Sequence, residues 1–155
     1  MKKLFSINHR ANNLDAAILL ARVAIAALML THGLPKLSMF FAEGPVQFPP
    51  VLGMSGGLSL ALSVFAEVFC SLFILVGFGT RLATIPLIIT MLVAVLHIHA
   101  ADPFGKQEMA LHYLLVYFIL LITGSGKYSV DYLLQQRLSN VSYKGNKRKE
   151  PSISM

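Results

Sequence analysis

Four mostly apolar stretches, at about residues 14–34, 57–76, 82–101 and 109–123, take up most of the chain. A helix rising about 1.5 Å per residue needs about 20 such residues to cross a hydrocarbon layer about 30 Å thick. Each stretch meets that length or nearly does. The fourth is the shortest, and a short span is accommodated by local thinning of the bilayer. Backbone polar groups inside hydrocarbon must be satisfied within their own segment, so the stretches read as helices. Composition agrees: 55% of residues are hydrophobic and only 13% charged, with a mean hydropathy of +0.67, whereas soluble domains carry about 25% charged residues. The chain therefore reads as an all-α membrane protein, a single four-helix transmembrane bundle lying in a lipid bilayer.

The linkers are marked by proline and glycine. Residues 38–56 hold Pro45, Pro49, Pro50 and three glycines, Gly77-Phe78-Gly79-Thr80 and Asp102-Pro103-Phe104-Gly105 read as tight turns, and Gly124-Ser125-Gly126 stops the fourth helix. The bundle occupies residues 14–135, preceded by a short segment 1–13 and followed by a basic tail 136–155, expected to be disordered from about Ser139. The opening Met1-Lys2-Lys3 resembles a signal-peptide start. Arg22 within the apolar run, the length of that run and the lack of a small-x-small site favour a retained first span.

Lys2, Lys3, Arg10, Arg81, Lys127, Arg137 and the tail lie on one side of the four spans, and only Lys36 and Lys106 on the other. Positive charge marks the cytoplasmic side, which places both termini in the cytoplasm and the 38–56 and 102–107 linkers outside. The net charge of +6 sits mostly at the two ends, with no basic stripe interleaved with aromatics, so nucleic acid is not an expected partner. The one cysteine, Cys70, supplies neither a disulfide nor a dithiol, and reads as an inert buried thiol.

An ionisable group inside a span is costly and should face the bundle interior with a partner. Counted from the ends of their spans, Arg22 and Glu67 both reach a depth of roughly 12–15 Å, so an Arg22–Glu67 ion pair is expected. Ser59, Ser63, Cys70 and Ser71 fall within about 80° of Glu67 on a helical wheel. They make a polar stripe that also permits close helix packing.

A second group occupies the outer half: His32, Lys36, His97, His99, Glu108 and His112. His32 and Lys36 are four residues apart, as are Glu108 and His112, which puts each pair on one helix face. His97 shares a face with Thr90 and is expected to point inward, leaving His99 at the rim. His97, Glu108 and His112 have the chemistry of metal ligands, but they form no tight motif. A hydrogen-bonded pocket is the preferred reading and no metal is assigned. Pro35 should kink or end the first helix near Leu34.

Several of these pieces together resemble the DoxX family of small bacterial membrane proteins: Arg22, His32-Gly33-x-x-Lys36, Ala66-Glu67, Gly79-Thr80-Arg81, His97, Glu108 and Gly124-x-Gly126-x-x-Ser129-x-Asp131. The resemblance runs from about Arg22 to Leu133 and leaves out the basic tail. It implies a multi-pass protein of the bacterial inner membrane. Some members are implied as subunits of thiosulfate:quinone oxidoreductase, and another in a membrane complex with superoxide dismutase and a sulfurtransferase. Kinship of fold does not transfer chemistry, and the chain carries no GxGxxG and no CxxCH motif for a redox cofactor.

The leading expectation is a redox-associated subunit that acts with a soluble redox enzyme on a quinone or a small sulfur species. Arg22, Glu67, His97 and Glu108 are its candidate catalytic groups, and His32, Lys36 and His112 its candidates for binding a cofactor such as quinone. A non-catalytic membrane anchor or assembly subunit is the first alternative. A small proton-linked carrier is the second, with a homo-oligomer supplying eight spans.

Overall fold

A computed structural model of the chain describes residues 11–147. Five helices follow one another: α1 (Ala11–Phe41), α2 (Gly56–Val76), α3 (Thr80–Ile98), α4 (Phe104–Thr123) and α5 (Val130–Lys147), with no strand among the described residues. The first four are long and apolar enough to cross a membrane. Their ends carry the expected local signals. Ser55 Oγ accepts from the Leu58 N–H at 3.3 Å and so caps α2. Gly77 ends α2 at φ 74°, a left-handed conformation that favours glycine. Gly124 ends α4 at φ 78°.

The four spans close into a ring, with α1 against α2, α2 against α3, α3 against α4, and α4 back against α1. Ala26, Met29, Ile74, Leu87, Tyr117 and Leu120 fill the interior. Large apolar side chains cover the outside. Leu82 and Ile122 are each 75% exposed, an arrangement that is stable where the surrounding solvent is lipid.

Three elements differ from the sequence-based expectation. First, α1 continues through Pro35 to Phe41. Pro35 deletes only the N–H that would reach the Thr31 carbonyl, and membrane helices tolerate such a gap. Second, α4 begins at Phe104 rather than near Met109, directly after Pro103. Its polar first turns hide the start from an apolar count. Third, the tail expected to be disordered from Ser139 is helical to Lys147. Ser129 Oγ accepts the Tyr132 N–H at 3.2 Å at the start of α5, and Leu133, Leu134 and Leu138 recur at helical spacing. Residues 1–10 and 148–155 lie outside the described residues, with the basic residues there.

The two ends of the bundle differ. One gathers the start of α1, the turn between α2 and α3, and the segment between α4 and α5. There Asp131 Oδ1 accepts the Gly79 N–H at 2.8 Å, and Asp15 holds both the N–H and the Nζ of Lys127. The other carries the 42–55 segment and the His99–Pro103 turn, with Lys36 just inside. Two wide π-helical turns interrupt the spans, Phe65–Cys70 in α2 and Ala94–Ile98 in α3. Such turns recur at functional sites.

Candidate functional site

Both wide turns border one cavity of about 430 Å³ near the Lys36 end. The volume is in the range of small-molecule sites. The walls are apolar and soft, from Met29, Met91, Ala94, Met109 and Ala110. His32, Lys36, Glu67, His99, Lys106 and Tyr113 supply the polar groups.

The floor is an ion pair. Lys36 Nζ donates to Glu67 Oε1 across the contact between α1 and α2. Gly33 makes that contact close. A Cβ there would stand 2.8 Å from Val68 Cγ2 and 3.0 Å from the Glu67 backbone. The Lys36 side chain keeps 29% of its surface exposed, and that of Glu67 only 2%. The lysine thus reaches in from the mouth, with its Nζ 5.9 Å from the centre of the Phe48 ring, while the carboxylate is held inside. Glu67 Oε2 has no protein partner.

The mouth is shaped by the turn after α3. His99 Nδ1 donates to Asp102 Oδ2 at 2.8 Å, and Lys106 Nζ reaches Asp102 Oδ1 at 3.4 Å. Gln107 Nε2 ties the same turn through the His99 carbonyl at 2.8 Å. The His99 hydrogen bond, helped by Lys106, holds the Asp102 carboxyl below its ordinary range.

The site residues expected from the sequence divide. His32, Lys36 and Glu67 line the cavity, and the edge of the His32 ring meets Tyr113 with centroids 5.9 Å apart. His97 and His99 take the opposite of their expected places: His97 is exposed and His99 faces the cavity. The expectation assumed about 100° per residue throughout. The wide turn at Ala94–Ile98 carries fewer degrees per residue and rotates everything beyond it. Glu108 and His112 are exposed and outside the cavity lining. His112 Nδ1 donates to the Glu108 carbonyl at 2.8 Å, a local bond along α4. No cluster of metal-ligating side chains occurs among the described residues.

The ion pair expected between Arg22 and Glu67 does not form. Arg22 is buried at the opposite end, where Nε donates to the Ile74 carbonyl at 2.9 Å and Nη2 to that of Leu75 at 3.0 Å. Nη1 donates to the carbonyls of Ser125 at 2.6 Å and Tyr128 at 3.0 Å. Arg22 thus donates to the C-terminal carbonyls of α2 and ties down the segment after α4. The depth count failed because it took the ends of α1 and α2 as level, whereas α1 extends past the end of α2 and Arg22 stands beside the last turn of α2. A carbonyl cluster is also a partner that charge counting overlooks.

Sequence reasoning missed Lys106, Tyr113 and the methionine walls. Lys106 could have been found as one of only two cations in the linkers on its side. Tyr113 follows Met109 by four residues and so shares its helix face.

Four membrane-capable helices around a polar-floored cavity define a multi-pass membrane protein. A family model, DoxX, matches residues 17–100, more than half of the chain, and the protein belongs to the DoxX family. The matched stretch includes Arg22, Lys36 and Glu67, and ends before Glu108. No curated protein and no solved structure matches the chain.

Proposed function

We propose that the protein is a redox-associated subunit whose cavity takes a quinone head group. The observation that carries this reading is the Lys36–Glu67 pair on the floor of a largely apolar cavity inside the membrane. A flat ring carrying carbonyls needs apolar walls and a few fixed donors, and methionine walls adapt to such a ring. Lys36 and His99 offer donors to carbonyl oxygens. Glu67 and its partner lysine offer a group that exchanges a proton. Reduction of a quinone to quinol consumes two electrons and two protons. The electrons come from the redox group of a partner enzyme that oxidises a small sulfur species, and the protons pass through the Lys36–Glu67 pair.

The same reading places the protein in the bacterial cytoplasmic membrane with the Arg22 end inside. Arg81, Lys127 and Arg137 gather at that end, whereas Lys36 and Lys106 both line the cavity at the other. The positive-inside rule then favours a cavity on the outer half.

The test is thermal unfolding of the purified protein in detergent against increasing short-chain ubiquinone or menaquinone analogue. A saturable rise in Tm is expected, unchanged in His97→Ala and absent in Lys36→Met and Glu67→Gln. No rise with either quinone overturns the reading. Co-purification of a soluble enzyme without any quinone effect points instead to an anchor subunit.

A further inference from the structure

Below the cavity floor, three buried polar atoms have no protein partner: Glu67 Oε2, Ser71 Oγ and Tyr117 OH. Their residues are almost sealed, with exposures of 1%, 0% and 0%. Glu67 and Ser71 lie one turn apart on α2, and Tyr117 comes from the facing wall, α4. No protein group meets any of the three atoms with hydrogen-bond geometry. Leaving even one such group unsatisfied inside a membrane protein is costly, and buried water is the usual remedy where two to four polar partners converge. We infer that Glu67, Ser71 and Tyr117 together hold a buried water that relays protons to the cavity.

The chemistry suits that ligand. A carboxylate oxygen accepts, and two hydroxyls can each donate or accept. One water molecule can donate to Glu67, exchange with Ser71 and accept from Tyr117. The relay meets the cavity through Glu67 itself, which is part of the cavity lining. It is closed at its other side. Toward the Arg22 end, Ile74 lies about one turn beyond Ser71 and Leu120 about one turn beyond Tyr117, and both are fully buried and apolar. The nearest open polar surface for a proton there is the cavity at the Lys36 end. The role as proton relay rests on the quinone reading above. The water site stands on the three atoms alone.

Infrared difference spectroscopy of the full-length protein in lipid tests both parts. The carboxyl and carboxylate bands of Glu67 are identified by their loss in Glu67→Gln. Tyr117→Phe and Ser71→Ala should each shift those bands and remove a water O–H band that responds to exchange into ¹⁸O water. Unshifted Glu67 bands, with no ¹⁸O-sensitive band in the parent protein, overturn the water site. A Tyr117→Phe protein that is also more heat-stable would mean that the hydroxyl was only a packing misfit. Quinone titration of the same samples separates the two readings. Shifted bands without any quinone effect keep the water site and remove its part in quinone chemistry. Quinone binding with unshifted bands does the reverse.

Discussion

Lys36 and Glu67 meet beside the close contact that Gly33 makes between α1 and α2, and the lysine is the more exposed partner by 29% to 2%. The pair is therefore lopsided. Loss of the acid leaves a cation that can swing toward the mouth. Loss of the lysine leaves a carboxylate with no exit. Removing one partner of a buried pair costs about 3–5 kcal/mol. Lys36→Met should fall in that range at neutral pH, and Glu67→Gln clearly below it. Thermal unfolding in detergent gives the order, and a Glu67→Gln protein less stable than Lys36→Met contradicts the lopsided pair.

Gly33 sets the distance over which that pair acts. Alanine there drives a methyl against Val68 and against the Glu67 backbone, where only small adjustments are available. Overpacking of this kind costs about 1–3 kcal/mol. Gly33→Ala should lower Tm by that equivalent and weaken quinone binding, because the lysine is pushed back from the acid. A Tm and a quinone affinity both equal to the parent's would show that the helices have slack at this point.

Arg22 makes four hydrogen bonds to carbonyls of two separate segments, so it acts as a clamp. A lysine cannot reproduce this, since its single ammonium cannot span the fork of a guanidinium. Hydrogen bonds to charged groups contribute about 1.5–3 kcal/mol each, so both Arg22→Lys and Arg22→Met should cost about 3 kcal/mol or more. The damage should be local first. Hydrogen exchange should speed up in residues 124–131 before the Lys36 end is affected. Uniform exchange across the bundle would argue against a clamp.

Much of the fold is legible in the sequence because lipid imposes a simple rule, a long apolar run with its backbone satisfied internally. The spans, the Gly77–Gly79 turn and the break at Gly124 all follow from it. The site is less legible because its geometry depends on departures from that rule. His32 and Lys36 share a regular helix face, and their spacing reports it correctly. His97 and His99 lie at the end of a wide turn, which has no simple sequence signature and exchanges their roles. Arg22 shows a second limit. Charge pairing suggests Glu67 as its partner, but the carbonyls of a helix end satisfy a guanidinium equally well and leave no mark in composition. The polar beginning of α4, with Lys106 inside the cavity lining, is invisible to an apolar window for the same reason that it suits the mouth of a pocket.

The turn at that mouth should respond to acid. The Asp102 carboxyl is held below its ordinary range, first by the hydrogen bond from His99 and then by Lys106. A group whose folded value is depressed adds stability that is present above its unfolded value, about 4 for aspartate, and is lost as the pH falls through the folded one. Between neutral pH and about 5 the carboxylate is charged in both states, so its contribution holds steady there. Acidification below about 4 should release His99 and Lys106 from Asp102 and loosen residues 99–107 while the spans stay folded. Hydrogen exchange of that turn, followed from pH 6 downward, reads the transition. Asp102→Asn should show the loosened turn already at pH 6 and no further change on acidification. If the parent and Asp102→Asn respond alike, His99 is positioned by Gln107 rather than by the carboxylate, because Gln107 donates to the His99 carbonyl at every pH.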